Sequence, residues 1–205
     1  MQRPSRFQHS SFPIVLTVPG LDGSGPDHWQ SRWEALLPDS RRVQMPEWSN
    51  PQRSPWIDAL DEAAHAVPGR FVFAAHSLGC LAICWWAALG RTAGLDGKVA
   101  GALLVAPPAV DEDHSCPRLH AFRPAPSRRL PFPSLLVASR NDPYCEIGHA
   151  RALAGAWGSN FIDLGEAGHI NATSALGDWS LGLALLGDLV AGSPQQSPAP
   201  KEWAA

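Results

Sequence analysis

Short runs of apolar residues alternate along the chain with longer amphipathic stretches. The runs lie at 13–18 (PIVLTV), 42–45 (RVQM, the weakest), 71–75 (FVFAA), 99–105 (VAGALLV), 134–138 (SLLVA) and 160–164 (NFIDL). Their hydrophobicity is continuous rather than alternating, which predicts strands covered on both faces, as in a parallel sheet. Helical periodicity fills the intervals at about 28–37, 55–66, 78–90, 144–157 and 172–191, with Asn171 or Thr173 placed to cap the last. Such alternation calls for right-handed crossovers and predicts a doubly wound α/β sandwich of about six strands, with ligands beyond the carboxyl ends of the strands. Chemistry is therefore to be sought in the loops that begin at Pro19, Ala75, Ala106, Ser139 and Gly165.

Two segments leave this rhythm. Residues 106–131 are crowded with proline and arginine (PRLHAFRPAPSRR) and read as an irregular loop or short lid near the site, too short for a separate cap domain. Residues 192–205, GSPQQSPAPKEWAA, read as a disordered tail, leaving one domain over 1–191. With 45% hydrophobic and 17% charged residues the chain has ample material for a buried core. A formal charge of -3 and the lack of a basic block speak against nucleic acid as a partner. The first apolar run is too short for a signal peptide or a membrane span, so a soluble, cytoplasmic protein is expected. Four cysteines do not make a disulfide framework, and Cys80 and Cys84, four apart in an apolar helix, read as buried free thiols.

In "FAAHSLGCLA" Ser77 follows a predicted strand and opens a predicted helix. A sharp strand-turn-helix corner there would push its hydroxyl toward solvent and aim the first N–H groups of the helix at an oxyanion. Ala75 and Gly79 supply the small flanks of such a corner, as A-x-S-x-G in place of the usual G-x-S-x-G. The extra methyl of Ala75 puts the oxyanion geometry in question. A nucleophilic serine needs a base and a carboxylate that orients it. Asp142 lies just past SLLVA in "SRNDPYC", and His169 just past NFIDL in "GEAGHINATS", each at the end of its own strand and in the order Ser, acid, His. Taken singly, Asp142 equally suits a helix cap, His169 a loop histidine and Ser77 a turn; their joint placement favours a catalytic triad.

The N–H of Leu78 is the first expected oxyanion donor, and Leu21, in the glycine-rich "VPGLDGSGPDHW", the second. That loop does not match the dinucleotide pattern G-x-G-x-x-G. Gly20, His28, Trp29, His76, Tyr144 and Ile170 adjoin the catalytic loops and are expected to line the substrate pocket. His114, Cys116 and His120 cluster without a zinc-like spacing, so no metal site and no organic cofactor are expected. His149 is placed one or two turns into a helix, facing solvent or the last loop. Cys145, three residues beyond Asp142, raises a redox-gated hydrolase as a further alternative.

The stretches "VPGLDGSGPDHWQSRWE", "AHSLGC", "ASRNDPYC" and "WGSNFIDLGEAGHINATSALGDW" together resemble the small serine-hydrolase family that includes the retinoblastoma-binding hydrolase and many bacterial relatives. The resemblance spans residues 13 to 190 and implies a compact α/β-hydrolase fold with almost no cap, its triad falling on Ser77, Asp142 and His169. An L-x-C-x-E segment of the kind that binds the retinoblastoma pocket protein is missing: Cys145-Glu146 and Leu78-Gly79-Cys80 both fail the spacing. The expected activity is hydrolysis of a small carboxylic ester or amide, and without a large lid a small acyl group is the easier fit. The alternative is a binding protein that keeps the fold with an idle site.

Overall fold

The computed structural model describes residues 12–192. Six parallel strands form one sheet in the order β2-β1-β3-β4-β5-β6. They are β1 (Ile14–Val18), β2 (Ser40–Arg42), β3 (Phe71–His76), β4 (Val99–Val105), β5 (Ser134–Ala138) and β6 (Asn160–Asp163). The helices are α1 (Trp29–Leu36), α2 (Arg53–His65), α3 (Leu78–Ala88), α4 (Ile147–Trp157) and α5 (Ser180–Ala191). Successive strand residues point to opposite faces, and both faces are covered. Leu16, Phe73 and Leu104 pack with α2, α3 and α4, whereas Val15, Val72 and Leu103 pack with α1 and α5. Burial on both sides accounts for the unbroken apolar runs.

The strand order reverses between β1 and β3, which pair directly. At such a switch point the loops leave in opposite directions and open a crevice at the carboxyl ends of the strands. Here that crevice lies between the loop after β1 and the corner between β3 and α3.

Two elements depart from the pattern-based expectation. The second strand is Ser40–Arg42, not 42–45. Val43 and Met45 are apolar because they bury against the core beyond the end of this short, polar edge strand. The helix expected at 172–191 divides into a 3-10 turn at Ala172–Ser174, capped by Asn171, and α5, which begins at Ser180. Ala175, Gly177 and Trp179 between them have positive φ, which no helix tolerates. The expected helix from 144 starts three residues later, at Ile147. Residues 106–131 contain one 3-10 helix, Pro117–Phe122, and are tied down by Arg123, which donates to the Val110 carbonyl, to Glu112 O at 2.7 Å and to Ser115 Oγ at 2.7 Å. Of the expected tail, the residues after Gly192 lie outside the described ones. No helix among the described residues is long and apolar enough to cross a membrane.

Candidate active site

Ser77 sits at the carboxyl end of β3 with φ 52° and ψ −124°, a strained backbone for any residue but glycine. Neighbours impose it. Its N–H donates to Val105 O of β4 at 2.9 Å, and α3 starts at the next residue. Gly79 lets α3 approach the end of β1, since a Cβ there would lie 2.3 Å from Val18 O. Gly20 does the same from the opposite loop, where a Cβ would meet the Ser77 Cβ at 2.7 Å.

The Ser77 hydroxyl lies 3.0 Å from His169 Nε2, and His169 Nδ1 lies 3.0 and 2.9 Å from the two Asp142 oxygens. A carboxylate only accepts, so Nδ1 carries the proton and Nε2 is left bare to accept from the serine. The Asp142 and His169 side chains are 2% and 10% exposed, which shields this chain of hydrogen bonds from water. Asp142 Oδ1 also accepts from Tyr144 N at 2.9 Å. It caps a turn, not α4, whose N-cap is Glu146.

The loop that carries His169 is clamped on several sides. His76 Nε2 donates to His169 O at 2.9 Å, Gly168 N to Asn141 Oδ1 at 2.7 Å and Ala167 N to Ser139 Oγ at 2.9 Å. Tyr144 packs edge-on against the His169 ring, centroids 4.5 Å apart. His76 and His28, whose rings stand 4.6 Å apart, are both held neutral. Burial pushes the His76 imidazole well below its usual pKa, and the charges of His169 and His28 add to this. His28 is pushed down to about 4, first by burial and then by the charges of Arg42 and His169. Its Nδ1 caps α1 by accepting from Gln30 N at 3.2 Å. The opposite Nε2 is buried with no hydrogen-bond partner among the described residues.

A cavity of about 330 Å³ opens over Ser77. Of the expected lining residues, His28, His76 and Tyr144 reach it, as does Leu21, expected as an oxyanion donor. Trp29 and Ile170 do not. Trp29 is buried beneath the site, stacked among Trp33 and Trp179, and donates from Nε1 to Ile170 O at 2.9 Å, while the Ile170 side chain is wholly buried in the same apolar cluster. Both brace the His169 loop from below. Gly20 is not a cavity wall but the contact that seats its loop on Ser77. Sequence reasoning missed Asn171, Ala172 and Thr173, just past His169, and Pro108, Cys116, Arg118 and Leu119 of the 106–131 segment. Arg118 makes a two-pronged ion pair with Asp22, at 2.9 and 3.0 Å, which ties that segment to the loop after β1 at the cavity mouth.

The N–H groups of Leu78 and Leu21 take part in no hydrogen bond among the described residues. A Cβ on Gly20 would sit 3.2 Å from Leu78 N, so the two candidate donor segments lie side by side. His149 pairs with Glu112 at 3.1 Å and so faces the 106–131 segment, not the last loop. Cys80, Cys84 and Cys145 are buried free thiols, and burial pushes Cys145 up to about 12, with the Asp142, Glu112 and Glu146 charges adding. No three His, Cys, Asp or Glu side chains among the described residues converge as a metal site.

A parallel sheet with a serine at a strained strand-to-helix corner, followed in chain order by an acid and a histidine at later strand ends, defines an α/β-hydrolase fold. The chain belongs to the serine hydrolase family, which it matches over residues 15–188. A crystal structure of a YdeN-like hydrolase from Pectobacterium atrosepticum is similar at 32% identity, covering 89% of this chain and 92% of that one, with a TM-score of 0.77. The ydeN product of Bacillus subtilis shares the fold at 19% identity and TM-score 0.67, over 88% of this chain and 100% of that one. A monoacylglycerol lipase from Paleococcus ferrophilus does so at 12% identity and TM-score 0.63, over 88% and 96%. No curated protein matches the chain.

Proposed function

We propose that this hydrolase cleaves a small carboxylic ester or amide through an acyl-enzyme on Ser77. The observation that carries the reading is the Ser77–His169–Asp142 chain of hydrogen bonds at the floor of an open cavity. Ser77 Oγ attacks the substrate carbonyl carbon while its proton passes to His169 Nε2. The carbonyl π pair moves onto oxygen, and the Leu78 and Leu21 N–H groups stabilise that oxyanion, a donor of this kind supplying about 3 kcal/mol. Collapse breaks the bond to the leaving alcohol or amine, which takes the proton from His169. Water then adds to the acyl-enzyme, giving a proton to His169. The second collapse releases the acid and returns that proton to Ser77. Asp142 stays ionised and holds His169 in the tautomer with Nε2 bare.

Turnover of p-nitrophenyl acetate and butanoate by the wild type, Ser77→Ala and His169→Ala tests this. Each variant should lose at least about 10⁴-fold in kcat, and quenched wild type should carry the acyl mass on Ser77. Turnover that survives Ser77→Ala overturns the reading. A folded wild type with no turnover points instead to a binding protein with an idle site.

A further inference from the structure

We infer, resting on the hydrolase reading above and reaching past the small acyl group that the sequence favoured, that the acyl part of the substrate is an extended apolar chain whose far end occupies a second cavity beyond Tyr144. This cavity measures about 190 Å³, and its walls include Pro108, Ala109, Cys116, Leu119, Pro143 and Tyr144. Pro108, Cys116, Leu119 and Tyr144 also line the cavity over Ser77, so the second chamber adjoins the space over the nucleophile across these four residues. Two of its polar wall residues make little claim on a ligand. Ser115 Oγ donates to Val110 O at 2.9 Å and accepts from Arg123 at 2.7 Å, and His114 is exposed.

The chamber is standing, not waiting for a lid. Ala109 N donates to Tyr144 O at 2.9 Å, locking the 106–131 segment to the Asp142 loop, and Arg123 and Arg118 anchor the rest of the wall. A preformed apolar space loses no ordering entropy when a chain enters it.

Asn171, Ala172 and Thr173, which follow His169, wall only the first cavity, and Tyr144, edge-on to His169, borders both. With the acyl chain toward Ala109, the leaving group takes the 171–173 side of the first cavity and receives its proton from His169. Among the described residues the one guanidinium on the first cavity, Arg118, is already paired with Asp22 and offers no free charge to an anionic chain.

Two ester series on the full-length protein test this: p-nitrophenyl acetyl, butanoyl, hexanoyl and octanoyl esters, and acetates of alcohols of matching length. In the acyl series kcat/KM should rise about fourfold per buried methylene until the chamber fills, and the alcohol series should stay flat. Ala109→Leu narrows only the second chamber and should cut the octanoyl-to-acetyl ratio at least about tenfold. His114→Trp, at an exposed position that lines only the second cavity, gives the same readout should Ala109→Leu fail to fold. Equal turnover of acetyl and octanoyl esters, a length dependence confined to the alcohol series, or an unchanged ratio in both variants overturns the subsite while the hydrolase reading stands. No turnover of any ester by folded protein overturns both.

Discussion

Gly20→Ala probes the proposed oxyanion hole while leaving every triad side chain chemically intact. Gly20 does not have positive φ, so its backbone accepts alanine, and the obstacle is space. The new Cβ would fall 2.7 Å from Ser77 Cβ, 3.1 Å from His76 O and 3.2 Å from Leu78 N. Carbon atoms in contact prefer about 3.5–4.0 Å, so the loop and the nucleophile corner must part by about 1 Å. Overpacking of this kind costs about 1–3 kcal/mol in stability. The catalytic cost is larger, because the parting separates Leu21 N–H from Leu78 N–H. A misplacement of about 1 Å costs about 100-fold, and loss of one oxyanion donor costs about 10²–10³ in kcat. The expected result is a kcat lower by about 100- to 1,000-fold with KM little changed. Steady-state ester hydrolysis and urea denaturation on the same preparations measure the two effects. Gly155→Ala serves as control: a Cβ there meets nothing within 4 Å on the exposed face of α4, and stability should rise by about 0.5–1 kcal/mol. A folded Gly20→Ala protein with kcat within about threefold of wild type would refute Leu21 as a donor.

Asp142→Asn should keep the fold and lower kcat by about 10⁴, by reversing the His169 tautomer; a drop below about tenfold in ester assays would mean that the carboxylate does not orient the base. Stability should fall on acidification, because His28 titrates near 6.5 when unfolded and at about 4 when folded. Its contribution is complete above the unfolded value and lost as the pH falls toward the folded one, since only the unfolded chain takes up the proton in that window. His28→Asn, which keeps an N-cap acceptor, should lower the slope of stability against pH by up to about 1.4 kcal/mol per unit in urea titrations; an unchanged slope would mean that His28 is protonated in the fold. Iodoacetamide near neutral pH should modify Cys116 first, by peptide mapping, because Cys145, Cys80 and Cys84 are buried with raised pKa values. Early modification of Cys145 would revive a thiol gate beside Asp142.

Five strands and the convergence of Ser77, Asp142 and His169 were legible because they rest on strong local signals. Continuous runs such as FVFAA and VAGALLV are buried on both faces, and Ser77, Asp142 and His169 each follow one of them. The edge strand was misplaced because only its end-neighbours Val43 and Met45 are apolar, whereas the paired residues Ser40, Arg41 and Arg42 are polar. Trp29 and Ile170 adjoin the site in sequence, but side-chain direction is set by packing, and the Trp29–Trp33–Trp179 stack draws both into the core. The far wall of the cavity was illegible. Pro108, Cys116, Arg118 and Leu119 lie in a segment with no period, held in place by Arg123, by Arg118–Asp22 and by the Ala109–Tyr144 backbone bond, none of which leaves a mark on a hydrophobic pattern.

The proposed role of Ser77 as a nucleophile depends on the hydrogen-bonded chain from Asp142 through His169. A fluorophosphonate probe, with the adduct located by peptide mass spectrometry, tests it directly. A single adduct on Ser77 is expected, lost in Ser77→Ala and nearly abolished in His169→Ala. A folded wild type that takes up no label, or takes it up equally without His169, would contradict it.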